Sequence, residues 1–144
     1  MQPQADSAQL RVLIVEDNPA DVILIRMALD TENLDFHAHV CSDGDSAVER
    51  LSAPHQSPPD LIILDLNLPK RHGTGVLHFI RGNERIAFTP VVILSSSPEH
   101  VIEEVVHAAR VKADCYLTKP PTLDEFLSLG KVIIECYRTA VRRV

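Results

Sequence analysis

The sequence predicts an α/β domain in which five parallel strands alternate with five helices, and three observations carry that expectation. Five short apolar runs recur along the chain at near-regular spacing. Segments with helical periodicity and recognisable caps lie between and after them. The first, third and fourth runs are continuously apolar and rich in Val and Ile, as suits parallel strands covered on both faces.

The runs are Val12-Leu13-Ile14-Val15, His37-Ala38-His39-Val40, Leu61-Ile62-Ile63-Leu64, Val91-Val92-Ile93-Leu94 and Cys115-Tyr116-Leu117. Their starts lie 24 to 30 residues apart, enough for a strand, a helix and two short loops. The second run alternates and belongs nearer an edge. Asn18-Pro19 reads as an N-cap followed by an N1 proline, opening a helix over Ala20 to Asp30 with Val22, Ile25 and Leu29 on one stripe. Gly44 to Leu51 is a short second helix, and Ser52 to Pro59, with three prolines, a surface loop. Gly75 to Arg81 is a third helix with Val76, Leu77 and Ile80 inward. Ser97-Pro98-Glu99 repeats the cap-then-proline signature before Val101, Val105 and Ala108. Thr122-Leu123-Asp124-Glu125 is a capping box opening a last helix that runs to about Arg142. Right-handed crossovers then give an open sheet with helices on both sides.

Bulk properties narrow the class. A chain of 144 residues fits one domain, here residues 10–144, behind a loose polar tail over residues 1–9 that lacks the features of a signal peptide. Its hydrophobic share of 45 % supplies a core without staples. A net charge of -6 argues against a nucleic-acid surface. Arg138, Arg142 and Arg143 read as solvated helix-end charges. The apolar runs are far too short to span a membrane, so the expected location is the cytoplasm. Cys41, Cys115 and Cys136 form no CxxC pair and read as reduced thiols, with neither a disulfide framework nor a zinc site. His37 and His39 share a strand face and His100 and His107 a helix, but neither pair has companion ligands at metal spacing.

In such a sheet, ligands bind beyond the carboxyl ends of the strands. Glu16 and Asp17 follow the first strand, Asp65 the third, Ser95 the fourth and Lys119 the fifth. Three clustered carboxylates repel unless a cation enters, and oxygen-only ligands favour Mg²⁺, with Mn²⁺ as a substitute. A carboxylate nucleophile beside a metal and an ammonium suits phosphoryl transfer, with Asp65 attacking in line to form an acyl phosphate. Each element alone has an ordinary reading. An acidic pair before Asn-Pro caps a helix, an Asp closing a strand makes a turn, Ser95-Ser96-Ser97 is loop chemistry, and Lys119 is a solvated loop lysine. All four on the strand ends of one sheet form a far less probable coincidence.

From Leu10 to Tyr137 the sequence resembles the receiver domain of bacterial two-component response regulators. The matching segments are Val15-Glu16-Asp17, Leu64-Asp65-Leu66-Asn67-Leu68-Pro69 with Gly73, Val92-Ile93-Leu94-Ser95 and Tyr116-Leu117-Thr118-Lys119-Pro120. The resemblance implies a flavodoxin-like sheet in the order 2-1-3-4-5. It also implies a phosphoprotein that carries 4-aspartylphosphate at Asp65 in phosphorelay signal transduction. Glu16, Asp17, Asp65 and the backbone carbonyl of Asn67 would hold Mg²⁺, and Lys119 would pair with the phosphate. Ser95 and Tyr116 would form the switch, Asn67 and Ser97 would set the phosphoryl lifetime, and the Lys119–Pro120 bond would be cis. Glu16 stands where Asp is commoner, and Ser95 where Thr is.

The resemblance further implies a sensor histidine kinase or histidine phosphotransfer protein as donor. The stretch Leu66-Asn67-Leu68-Pro69-Lys70 is similar to small single-domain regulators paired with phytochrome kinases. Apolar residues on two faces of the last helix, Leu123, Phe126, Ile133, Ile134 and Tyr137 against Leu129, Val132, Cys136 and Ala140, suggest a homodimer through the fourth helix, fifth strand and fifth helix, or else one wide buried stripe. No turnover of an external substrate is expected. One rival reading is an aspartyl-phosphate phosphohydrolase of the haloacid-dehalogenase type, which needs a second Asp where Asn67 stands. Another is a receiver-like binding module that works without phosphorylation.

Overall fold

The computed structural model describes residues 9–143. The expected tail over residues 1–9 lies outside these except for Gln9, whose side chain donates to Asp35 Oδ1 at 3.1 Å. Five strands, β1 (Leu10–Val15), β2 (Phe36–Cys41), β3 (Leu61–Leu64), β4 (Val91–Ser95) and β5 (Cys115–Thr118), alternate with α1 (Pro19–Asp30), α2 (Gly44–Ser52), α3 (Gly73–Gly82), α4 (Glu99–Ala108) and α5 (Leu123–Arg142). The strands are parallel in the order β2-β1-β3-β4-β5, which places the alternating second strand at an edge as expected.

Strand alternation sorts the core into two layers. Leu13, Val15, Ile62, Leu64, Val91 and Ile93 pack against α2, α3 and α4 on one face. Val12, Ile14, Leu61, Ile63, Val92 and Leu94 pack against α1 and α5 on the other. Because β1, β3 and β4 are buried on both faces, they carry unbroken apolar runs. The α1 cap forms as read, with the Asn18 side chain accepting from Ala20 N at 2.9 Å. At α5 the Thr122 N-cap forms, although Glu125 meets the Thr122 hydroxyl and not its backbone N–H. Thr122 Oγ1 accepts from Glu125 N at 3.3 Å and donates to Glu125 Oε1 at 2.8 Å. Helices α1 and α5 lie close enough that a Cβ on Gly130 would collide with the backbone carbonyl of Ala28.

Four expectations are corrected. Pro98, not Ser97, stands at the α4 cap, and no side chain caps that helix. The Ser97 carbonyl accepts from Thr118 Oγ1 at 2.7 Å, which draws the segment toward β5. Helix α4 buries Ile102 and Val106 and leaves Val105 and Ala108 exposed. The doublets Val101-Ile102 and Val105-Val106 fit either phase, and packing chose the second. On α5, Cys136 and Ala140 turn inward beside Gly130, whereas Leu123 is 52 % exposed, so the buried stripe is wider than one face. Finally, Cys115 and Cys136 are joined as a disulfide with Cα atoms 6.4 Å apart, while Cys41 is free and buried. A separation of 21 residues carries no spacing signature; the pair meets because β5 begins beneath the inner face of α5. The expectation of three reduced thiols is overturned, and the cytoplasmic reading loses that support.

Candidate functional site

Each strand order and register delivers one group to the carboxyl rim of the sheet. Glu16 N donates to Cys41 O at 3.0 Å, extending the β1–β2 ladder by one residue and fixing where that side chain leaves the sheet. Asp65 N donates to Val15 O at 3.0 Å, and Lys119 N to Ser95 O at 2.8 Å. The three chain exits are thereby tied to neighbouring strands. After Asp65 the chain turns sharply, with Gly73 N donating to Leu66 O at 2.8 Å. A Cβ on Gly73 would strike the Asp65 carbonyl, so a larger residue there would displace the acidic turn.

The side chains converge as expected around Lys119. Its Nζ lies 2.7 Å from Glu16 Oε1 and 3.2 Å from Asp65 Oδ2. Glu16, Asp65 and Ser95 are all buried, at 3 %, 6 % and 1 % exposure. Asp17 is exposed, but one oxygen each of Glu16, Asp17 and Asp65 lie within 4.8 Å of one another. The remaining Glu16 oxygen accepts from Asn18 N at 3.1 Å, and Asp65 Oδ1 from Asn67 N at 3.3 Å.

Asp21 was absent from the expected set, yet its Oδ2 is 2.8 Å from Lys119 Nζ. As the third residue of α1, it reads from sequence as an ordinary acid in a first helical turn, complementing the helix dipole. The available signal was the Pro19 start, which fixes the helical phase and turns position 21 back toward the rim.

Burial dominates the titration of Glu16. It pushes the Glu16 carboxyl up to about 7, against the opposing pull of Lys119 and the Asn18 amide. Burial would also lower the Lys119 ammonium, but hydrogen bonds to Asp21 and Glu16 and the charge of Asp65 hold it above its ordinary value. One fixed cation therefore faces three acids, with exposed Asp17 nearby, and crowding these carboxylates carries a standing electrostatic cost. Three hard oxygen donors within reach of one another fit a divalent cation such as Mg²⁺ or Mn²⁺.

Ser95 Oγ is buried and has no hydrogen-bond partner among the described residues. A hydroxyl so placed carries a desolvation cost that an incoming acceptor would relieve. Tyr116 is half-buried against the α4-side core, and its hydroxyl accepts from Ala113 N at 3.0 Å. Asn67 is exposed and Ser97 half-buried, each two residues beyond Asp65 or Ser95. The Lys119–Pro120 bond expected to be cis is trans, as is every peptide bond among the described residues; the usual trans preference of a prolyl bond prevails.

Comparison with known proteins follows the same lines. The family model for the response regulator receiver domain matches residues 12–129. The response regulator Rcp1 of Synechocystis is 36 % identical over 122 residues, spanning 82 % of either chain. Longer curated relatives match over part of their length only, this chain covering 11 % of one and 45 % of another. Among solved structures, the phosphorylated cyanobacterial phytochrome response regulator RcpA superposes with a TM-score of 0.78 at 34 % identity, covering 92 % of this chain and 96 % of that one. The Mn²⁺-bound form of Rcp1 gives 0.73 at 34 % identity, covering 85 % and 90 %.

The raised Glu16 carboxyl sets a pH dependence for cation uptake. A cation needs Glu16 ionised, so binding must displace its proton at and below about pH 7. Mg²⁺ affinity, measured by calorimetry between about pH 6 and pH 8, is expected to rise with pH and then level off. The slope should vanish in Glu16→Gln. Affinity independent of pH in the unsubstituted protein would contradict this assignment.

Proposed function

This chain belongs to the response regulator receiver domain family, and we propose that it acts as a single-domain regulator whose Asp65 accepts a phosphoryl group from a phosphohistidine. The carrying observation is the contact between Lys119 Nζ and Asp65 Oδ2 inside a buried acidic rim. One Asp65 oxygen attacks phosphorus as the bond to the imidazole nitrogen breaks, leaving neutral histidine on the donor and an acyl phosphate on this chain. Lys119 neutralises a phosphoryl oxygen, and Glu16, Asp17, Asp65 and the Asn67 carbonyl would hold the divalent cation. That cation supplies charge neutralisation to the transferring group.

The added phosphoryl brings charge and strong acceptors beside Ser95. Its buried, unpartnered hydroxyl has a hydrogen bond to gain. Movement of Ser95 carries the β4–α4 loop, and the Thr118–Ser97 bond couples that loop to β5. Tyr116, two residues before Thr118, then changes position, so phosphorylation shifts the population of the α4–β5 face. Asn67 and Ser97 flank the path of the hydrolytic water and set the phosphoryl lifetime. The protein assists its own phosphorylation and dephosphorylation without turning over an external substrate. A phosphohydrolase reading is disfavoured because Asn67 cannot serve as the second acid.

The donor is a sensor histidine kinase or a histidine phosphotransfer protein. A phytochrome kinase is favoured because RcpA is a phytochrome response regulator. Exposed Ile23 and Met27 on α1, the helix that carries Asp21 at the rim, offer apolar area for docking a donor helix. The location on this reading is the cytoplasm, where a histidine kinase would present its phosphohistidine; no described helix is long and apolar enough to cross a membrane. Nucleic acid is not a partner on this reading. A homodimer through α4, β5 and α5 draws on Val105, Val132 and Val141, which stay exposed although Cys136 and Ala140 do not.

Incubation with acetyl phosphate and Mg²⁺ is expected to add one phosphoryl group by intact mass. The addition should be abolished in Asp65→Asn and reduced about tenfold or more in Lys119→Ala; undiminished labelling of Asp65→Asn would refute the assignment. Sedimentation with and without beryllofluoride should show a dimer. A monomer throughout the micromolar range would remove the dimer.

A further inference from the structure

At the opposite, amino end of the sheet lies a second concave site, about 430 Å³ in volume, that the phosphoryl chemistry leaves unused. Register builds it. Arg11 pairs with His37 and Leu13 with His39 across β1 and β2, so these four side chains share one face of the sheet. Arg50 reaches the same cavity from the last turn of α2. Leu13 and Leu51 supply apolar floor, and Pro58 and Pro59 form a wall.

The charge is lopsided. Arg11, Arg50 and Arg85 line the cavity, and no carboxylate does. In a chain of net charge -6 that concentration runs against the composition. The Arg85 guanidinium is committed to structure, donating to Ala53 O at 3.2 Å and to Gln56 O, which holds the loop as a wall. Arg11 and Arg50 make no side-chain hydrogen bond or ion pair among the described residues. Burial, Arg50 and His37 together hold His39 below its usual value.

An ordinary account exists for each residue alone: Arg50 complements the carboxyl end of α2, and Arg11 is a solvated charge near the amino end of β1. It does not explain why both, with two imidazoles, surround an apolar-floored cavity of ligand size. We propose that this cavity binds a small organic anion, its carboxylate or phosphate held by the Arg11 and Arg50 guanidiniums and its apolar body lying against Leu13, Leu51 and the Pro58-Pro59 wall. Guanidinium forks match either head group bidentately, so the head chemistry is shared between two sources.

The test is a heteronuclear NMR titration with benzoate, phenyl phosphate, inorganic phosphate and the neutral benzyl alcohol. Benzoate, phenyl phosphate or both should give saturable shifts centred on the His37, His39 and Leu51 amides, the tighter of the two identifying the head group. Benzyl alcohol and inorganic phosphate should bind more weakly, since each lacks half of the recognised chemistry. Arg11→Gln with Arg50→Gln should weaken the better anion about tenfold or more. Should that double variant lose its dispersed spectrum, Arg11→Gln alone, at an exposed position near the start of β1, should still weaken it several-fold. Equal binding of benzyl alcohol, shifts scattered over surface arginines, or unchanged affinity in a folded variant would overturn the proposal.

Discussion

A buried ammonium surrounded by more carboxylates than it can neutralise is the constraint on which this domain turns. Lys119 sits within 3.2 Å of Glu16, Asp21 and Asp65, supplied by three separate segments. Removing water from such a cluster is costly, and the cost is tolerable only because each member has a partner. The arrangement is thus held together and still short of positive charge. A rim short of positive charge suits a divalent cation, and on the proposed reading that cation and Lys119 together offset the charge of an incoming phosphoryl group.

The fold makes that arrangement possible through its connectivity. In a parallel sheet every strand points its carboxyl end the same way, so side chains distant in sequence exit on one edge. Short backbone bonds from Glu16, Asp65 and Lys119 to adjacent strands then fix the exits. The same geometry collects the amino ends at the far edge, where Arg11 and Arg50 meet around the second cavity. One rim is acidic around a single lysine; the other is basic with no acid among its lining residues.

Much of this was readable from the chain because its local signals agree with its topology. The doubly buried strands announced themselves as unbroken Val/Ile/Leu runs, and Asn18-Pro19 and Thr122 to Glu125 placed two helix starts to the residue. Asp65, Ser95 and Lys119 could be placed at the rim by counting from strand ends. What escaped depended on contacts that have no local signature. Asp21 looked like any first-turn acid, and the α4 doublets fitted two phases equally. Cys115 and Cys136 carry no spacing rule, so the disulfide emerged only from the packing of α5 over β5. The cis assignment at Lys119–Pro120 came from resemblance, not from anything in the neighbouring residues, and the trans bond shows the limit of that transfer.

The central claim is that Asp65, among the acids gathered at this rim, is the nucleophile. Borohydride reduction of the acyl phosphate formed with acetyl phosphate, followed by peptide sequencing, reads the position directly, because reduction converts aspartyl phosphate to homoserine. Homoserine at position 65 alone is the expected result. Homoserine at position 17 or 21, or a phosphate linkage that resists reduction, would contradict the account.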